Sequence, residues 1–317
     1  MNGKNVVVIG GGTGQSTILR GLKHIPDIHL STIVTVADDG GSTGRLRRAY
    51  AVPGMGDIRN VMLALAESES VMNELMAYRF EGSDDVSNEL RGHNLGNIIL
   101  TALTNKSGSF TEAIGLISKV LNVSGDIIPS TTQLVTLCAH MEDGTIVRGE
   151  SNIPKPHIKI NDVFYDEPVV ATKEAIKAIE KADLIVFGIG SLYTSICANL
   201  IIPDLRKALS KTKAHTLYLC NAMTQKGETD GYTVEDHVAS IEAHAHITID
   251  TVIHADDEIP EALLAKYATQ DAHPVVCRQK THTYKLSHRK LLTFEHDLVR
   301  HDPVKIQHVI QHVLKTL

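Results

Sequence analysis

The sequence predicts an α/β fold, a Rossmann-like and mostly parallel sheet flanked by helices. Three observations predict it. Short apolar runs, NVVVI at 5–9, TIVTV at 32–36 and LIVF at 184–187, have the length and β-branching of buried strands. The stretches between them carry apolar residues three and four apart, the spacing of a helix face. Two of the runs end in glycine-rich turns that lead directly into helical pattern, GGGTG at 10–14 and GIGSLYTS at 188–195.

The elements follow in order. NVVVI is a strand buried on both faces, and residues 16–23 place Ile18, Leu19 and Leu22 at helical spacing. TIVTV closes a βαβ unit, whose crossover is right-handed. Residues 58–67, 70–80, 95–103 and 110–121 read as helices. Residues 134–141 and 145–147 flank Glu142-Asp143-Gly144, a hairpin signal because Asp-Gly suits a primed turn. From residue 172 the alternation returns, with helix at 173–181, strand at 184–187, helix at 195–209 and strand at 216–219. Helix at 233–244, strand at 249–253 and an amphipathic helix at 303–317 complete the chain. The expectation is one domain over 1–317, with a helical and hairpin insertion at about 55–165 packed over the ligand edge of the sheet.

Composition narrows the function. Of 317 residues, 43% are apolar, enough for a substantial core. Lys plus Arg number 31 against 37 Asp plus Glu, and a net charge of −6 argues against nucleic acid as partner. With 5 Phe, 8 Tyr and no Trp, a base-stacking platform is also unsupported. Cys138, Cys197, Cys220 and Cys277 form no C-x-x-C, so they read as reduced thiols. No run of ~18 apolar residues predicts a membrane span, and nothing at the amino terminus has the pattern of a signal peptide. The expected location is the cytoplasm.

Gly10, Gly11, Gly12, Thr13 and Gly14 stand between strand and helix, where backbone N–H groups and the helix dipole hold a phosphate. The dinucleotide pattern G-x-G-x-x-G fails at Gln15, and G-x-x-x-x-G-K-[ST] does not occur. Asp38, Asp39, Gly40, Gly41, Ser42 and Arg45 follow the second strand, on the edge where α/β ligands sit. The two carboxylates there suit Mg²⁺, or one of them a ribose hydroxyl. His93, Asn94 and Asn97 open a helix, where Asn94 is also a good N-cap. Gly188, Gly190, Ser191, Tyr193, Thr194 and Ser195 make a second anion loop. Asn221, Thr224, Gln225, Glu228 and Thr229 follow the next strand and suit hydrogen bonding to a base or sugar, or capping of the helix beyond. In GDIRN at 56–60, Asp57 and Arg59 read either as site residues or as a helix cap and a solvent-facing cation. The seventeen histidines lack H-E-x-x-H and any nearby third ligand, and G-x-S-x-G is missing.

Taken together, GGGTG at 10–14, ADDGGSTGRLR at 37–47, GHNLGN at 92–97, GIGSLYTSI at 188–196 and NAMTQKGETDGYT at 221–233 resemble the YvcK-like proteins of the CofD-like superfamily, also called putative gluconeogenesis factors. The resemblance spans nearly the whole chain. It implies a cytoplasmic protein that binds UDP-sugars, notably UDP-N-acetylglucosamine, and is linked to carbon metabolism and to cell shape or wall synthesis. CofD enzymes of the same superfamily transfer phospholactate from a guanosine diphosphate donor to a deazaflavin with Mg²⁺, which is the alternative reading. Apart from Mg²⁺ at Asp38 and Asp39, no tightly bound cofactor is implied. A homo-oligomer and a regulatory protein partner are both compatible with the resemblance. The family's PPGDIRN appears here as VPGMGDIRN at 52–60, which keeps Asp57 and Arg59. The resemblance also brings Tyr267 and Arg300 to the nucleotide.

Overall fold

The computed structural model describes residues 3–67, 71–82 and 89–317. From its start, β1 (Lys4–Gly10) leads through α1 (Gly12–Leu22) to β2 (Ile28–Val34). Among the described residues, α2 (Gly41–Tyr50), α3 (Gly56–Leu65), α4 (Val71–Ala77), α5 (Leu95–Ser107) and α6 (Phe110–Val120) follow, and the chain re-enters the sheet as β3 (Asp126–Pro129). Then β4 (Leu137–Met141), β5 (Ile146–Arg148) and β6 (Ile160–Tyr165) make a small antiparallel sheet, ordered β5-β4-β6. The second half runs α7 (Lys173–Lys181), β7 (Leu184–Gly188), a wide helical segment Leu192–Cys197, α8 (Ala198–Leu200), α9 (Pro203–Leu209) and β8 (His215–Leu219). It continues with α10 (Val234–Ala245), β9 (Thr251–Ala255), α11 (Glu261–Ala268) and β10 (Lys285–Arg289). The short pair β11 (Leu292–Thr293) and β12 (Arg300–His301) precedes α12 (Pro303–Thr316).

The main sheet has the order β10-β9-β8-β7-β1-β2-β3, and every neighbouring pair is parallel. The chain starts in the middle, winds out to β3, then returns beside β1 as β7 and winds out the other way. Right-handed crossovers in opposite directions put helices on both faces. In the structure, α1 packs on α3 and α12, while α7 packs on α9. This explains why the central strands are apolar throughout: Val6, Val7, Val8 and Ile9 of β1 and all five residues of β7 are buried. The order reverses between β1 and β7, so their carboxyl ends splay the following loops apart and leave a crevice.

Several expectations need correction. The 55–165 stretch is not one insertion, because Asp126–Pro129 inside it is the edge strand β3 of the main sheet. The chain leaves the sheet twice, between β2 and β3 for the helices and between β3 and β7 for the small sheet. The helix expected at 195–209 is interrupted, because Pro203 has no N–H to continue it and instead begins α9. The glycine-rich 40–45 segment forms the start of α2, with Gly40 as its N-cap. The helix expected at 70–80 is α4, with Ser70 outside the described residues and Arg79 bridging to Asn94 beyond its end. The strand β10, KLSHR, lacks clear alternation, and its polar residues suit a sheet edge. Among the described residues, no helix is long and apolar enough to cross a membrane.

Candidate functional site

A cleft of about 430 Å³ opens at the carboxyl ends of β1, β2 and β7, where the strand order reverses. Its floor is the first glycine turn, Gly11 to Gly14, and one side is the second, through Gly190, Ser191 and Ser195. Gly12 has φ +65°, a backbone state that glycine adopts without strain. The two turns touch: a Cβ on Gly14 would lie 2.2 Å from the Ile189 carbonyl oxygen and 2.8 Å from Gly190 N. Gln15, where the dinucleotide fingerprint wants glycine, is buried and its Nε2 donates to Val8 O at 3.2 Å, Thr32 Oγ1 at 2.7 Å and Ile33 O at 3.0 Å. That amide ties α1 to β1 and β2 by hydrogen bonds, so close helix–strand packing through a third glycine is unnecessary here.

The opposite wall comes from the helical insertion. Asp38, Gly40, Gly41, Ser42 and Thr43 belong to it, and so do Gly56, Asp57, Arg59, Asn60, Arg79 and Asn97. Asp38 Oδ1 accepts from Gly40 N at 3.0 Å, while Arg47, buried beneath, donates to the carbonyls of Ala37 and Asp38 and so fixes the turn. Glu150 reaches the cleft from the loop after β5.

Three carboxylates thus converge, Asp38, Asp57 and Glu150. Burial and the neighbouring Asp38 push Asp57 up to about 7, against the Gly12 N–H and Arg59, which favour its charged form. Burial, followed by Asp38 and Asp57, pushes Glu150 up to about 8. Facing them, Arg59 donates to Asn97 Oδ1 at 3.2 Å and to Asn60 Oδ1 at 2.6 Å, and burial followed by Arg79 lowers its pKa. Glycines let the acids come close: a Cβ on Gly56 would lie 2.2 Å from Asp38 Oδ2, and one on Gly11 would lie 2.4 Å from Asp57 Oδ2.

These shifts carry a sign. An acid whose pKa is raised on folding holds its proton where the unfolded chain, near pKa 4, has lost it, so it costs stability as pH rises from there through its folded value. Asp57→Asn and Glu150→Gln are therefore expected to gain stability relative to the parent between about pH 5 and about pH 8, on the order of 2 kcal/mol at the upper end without divalent metal. Comparing each variant with the parent removes the opposite contribution of buried histidines such as His237 and His301, whose pKa values burial lowers. Denaturant melts across that range check it, and a pH-independent difference would contradict the assignment.

The structure sorts the residues read from sequence. Gly11, Gly12, Thr13, Gly14, Asp38, Gly40, Gly41, Ser42, Asn97, Gly190, Ser191 and Ser195 line the cleft. Gly10 ends β1 beneath it, and Gly188, with φ +89°, ends β7. Asp39 instead accepts from Ser151 N at 2.9 Å and so tethers the Glu150 loop rather than facing Asp38 across the cleft. Arg45 donates to Arg91 O at 2.8 Å, away from the cleft wall. His93 and Asn94 position Ser42: His93 Nδ1 lies 3.1 Å from Ser42 Oγ, which accepts from Asn94 N at 3.1 Å, while Asn94 caps α5.

Asn221, Thr224, Gln225, Glu228 and Thr229 stand behind the second glycine turn, not on the cleft wall. Asn221 Nδ2 donates to Gly190 O at 2.8 Å, Ser191 Oγ to Gln225 Oε1 at 2.8 Å, and Thr194 Oγ1 to Glu228 Oε1 at 2.9 Å. Thr229 Oγ1 accepts from Gln225 N at 2.8 Å, and Thr224 pairs with the backbone of His273. Tyr193 points away, its hydroxyl 2.7 Å from that of Tyr232. Tyr267 accepts from Val299 N at 3.0 Å within a separate apolar cluster, and Arg300 is exposed on β12, so neither reaches the cleft.

Of the two readings of Asp57 and Arg59, the helix cap and solvent-facing cation need correction. Met55 is the N-cap of α3, Asp57 sits within its first turn facing the cleft, and Arg59 is held inside rather than in solvent. Glu150 and Arg79 went unread; the only local signal for Glu150 is the preceding Gly149 at φ +95°.

Comparison with known proteins places the chain among relatives of matching length. The family described as 2-phospho-L-lactate transferase CofD matches residues 6–293. A gluconeogenesis factor of Halalkalibacterium halodurans is 44% identical over 320 residues, covering 98% of this chain and 96% of that protein. One of Bacillus subtilis is 42% identical, covering 98% of each. A crystal structure of a UPF0052 family member from Bacillus halodurans superposes with a TM-score of 0.92 at 43% identity, covering 97% of this chain and 99% of that one.

Proposed function

The chain belongs to the CofD family, and on that premise we propose that it is a cytoplasmic regulator that binds a nucleotide-sugar of the UDP-N-acetylglucosamine type, linking carbon metabolism to cell shape or wall synthesis. The observation that carries the reading is the abutment of a backbone anion cradle and three carboxylates in one cleft. Anion and carboxylates repel unless a cation lies between them, and a diphosphate bound with Mg²⁺ meets both demands. The all-oxygen donor set of Asp38, Asp57 and Glu150, with Gly11 and Gly56 leaving room for the first two acids, fits that ion. Bound there, Mg²⁺ would neutralise diphosphate charge. Asp38 with Asp57, rather than Asp38 with Asp39, would be its main holders. Arg59 and Arg79 would take the remaining phosphate oxygens, and Asn221 to Thr229 would act by bracing the second loop. The choice of uridine and amino-sugar rests on the family resemblance. In this reading residues 1–317 act as one unit.

The acidic trio also favours a second reading, a Mg²⁺-dependent transferase acting on a guanosine diphosphate donor with a deazaflavin acceptor. There the same carboxylates would serve the leaving-group charge.

A thermal-shift series tests the ligand class. At ~100 times its dissociation constant a ligand adds about 2.7 kcal/mol to the native state. For a chain of this size that corresponds to a melting temperature higher by roughly 3–5 °C. UDP-N-acetylglucosamine with Mg²⁺ is expected to give that rise and NAD to give none. No response to any uridine nucleotide would end the proposal.

A further inference from the structure

Away from the cleft, Glu235 in the first turn of α10 meets Cys277 and His282 of the segment that leads into β10. Cys277 Sγ lies 3.3 Å from Glu235 Oε1 and 3.6 Å from His282 Nε2, and His282 Nε2 lies 3.2 Å from Glu235 Oε1. We propose that these three side chains form a binding site for a divalent transition cation of the zinc class, which clips the edge strand of the sheet to α10.

The geometry is that of one face of a coordination tetrahedron. With Zn–S near 2.3 Å and Zn–N and Zn–O near 2.0–2.1 Å, tetrahedral angles separate the ligand atoms by about 3.3–3.6 Å. The three edges here, 3.3, 3.6 and 3.2 Å, fall within about 0.2 Å of those lengths. Thiolate, imidazole and carboxylate together select a borderline cation over Mg²⁺, which prefers oxygen alone. One thiolate and one carboxylate also neutralise a divalent charge at a site where the His282 and Glu235 side chains are only 8% and 11% exposed.

Hydrogen bonding within the trio is a poor alternative account. Glu235 Oε1 is approached by the imidazole, by Arg278 N at 3.0 Å and Gln279 N at 2.7 Å, and by the thiol, which also reaches Gln279 O at 3.4 Å, while buried Oε2 has no partner. The donors therefore crowd one carboxylate oxygen and leave the other bare. With a cation bound, the thiol proton leaves to solvent, the Nε2 hydrogen moves to Nδ1, and the two backbone donors keep Oε1. A nucleophilic relay is also excluded by geometry, because it needs the thiol and carboxylate on different ring nitrogens and here both approach Nε2. A cavity of about 380 Å³ beside Glu235 and His282, with Gln279 and Tyr284 in its wall, leaves room for a water as fourth ligand.

Titration of the purified chain with Co²⁺ and Zn²⁺ tests this. One equivalent of Co²⁺ is expected to give tetrahedral d–d bands with thiolate-to-cobalt charge transfer, and Zn²⁺ to displace it and raise the melting temperature. Cys277→Ser removes the charge-transfer band and weakens Zn²⁺ by more than the ~10–100-fold that loss of an outer-shell partner costs. His282→Asn is expected to match it in affinity. Both variants are first checked for the parent's circular dichroism and metal-free melting. Asp38→Asn/Asp57→Asn leaves the band unchanged, which separates this site from the cleft. A cobalt spectrum without thiolate character, or Zn²⁺ binding in Cys277→Ser equal to the parent's, would overturn the proposal.

Discussion

Replacing Gly14 by alanine is expected to destabilise the protein by about 2–3 kcal/mol and to weaken nucleotide binding by about two orders of magnitude. The new methyl would meet backbone, the Ile189 carbonyl at 2.2 Å and Gly190 N at 2.8 Å, so neither neighbour can swing aside as a flexible side chain does. Relief requires the two glycine turns to separate. Loss of two N–H donors to a charged phosphate, each worth about 1.5 kcal/mol or more, gives the ~100-fold loss of affinity. Gly12→Ala is the informative comparison. A Cβ there meets only Asp57 Oδ1, at 3.7 Å, so the substitution carries the strain of φ +65° without prying the turns apart. Urea melts with calorimetric titration distinguish the two. Parent-like melting and binding in Gly14→Ala would show that the turns do not act as one cradle.

Asp38→Asn combined with Asp57→Asn is expected to abolish any effect of Mg²⁺ on ligand binding, whereas Asp39→Asn leaves it nearly intact. The pair removes two charges that share the cleft with Glu150, while the amides keep the shape. Asp39 is committed to Ser151 N, a bond that an amide oxygen can still accept. For a regulator, the parent binds UDP-sugar and returns it unchanged, and the pair shifts only affinity and its metal dependence. For a transferase, turnover of a phospholactyl-guanosine donor with a deazaflavin acceptor falls by orders of magnitude, because the ion acts most on charge developing in the transition state. Steady product formation by the parent, lost in the pair, would replace the regulator reading. Loss of Mg²⁺ dependence in Asp39→Asn instead would reinstate the adjacent aspartates as the holders.

What could be read from sequence follows from how local its physics is. The strands β1 and β7 were legible because burial on both faces leaves little but Val, Ile, Leu and Phe, and both glycine turns were legible because they adjoin those strands. Strand β3 was not, because DIIP is four residues long and ends in proline, and β10 was not, because KLSHR has no apolar face. At the site, Asp57, Arg59 and Glu150 face the glycine turn only through tertiary packing, with Glu150 delivered from the loop after β5 of the small sheet. The Asn221 to Thr229 segment differs in the opposite sense. Its polar groups resemble ligand contacts, yet they are spent on the protein's own second turn.

The division of the cleft into two walls bears on how such a protein can change over time. The proposed phosphate cradle is made of main chain at the junction of two central strands, so it is indifferent to most side-chain drift provided the glycines stay. The facing wall, Glu150 apart, belongs to a loop of chain that leaves the sheet after β2 and rejoins it at the neighbouring strand β3. Such an excursion can lengthen, shorten or be rewritten without shifting the register of any strand. On the proposed reading, a lineage can keep the backbone cradle while changing what the cleft accepts, by editing these excursions and not the sheet.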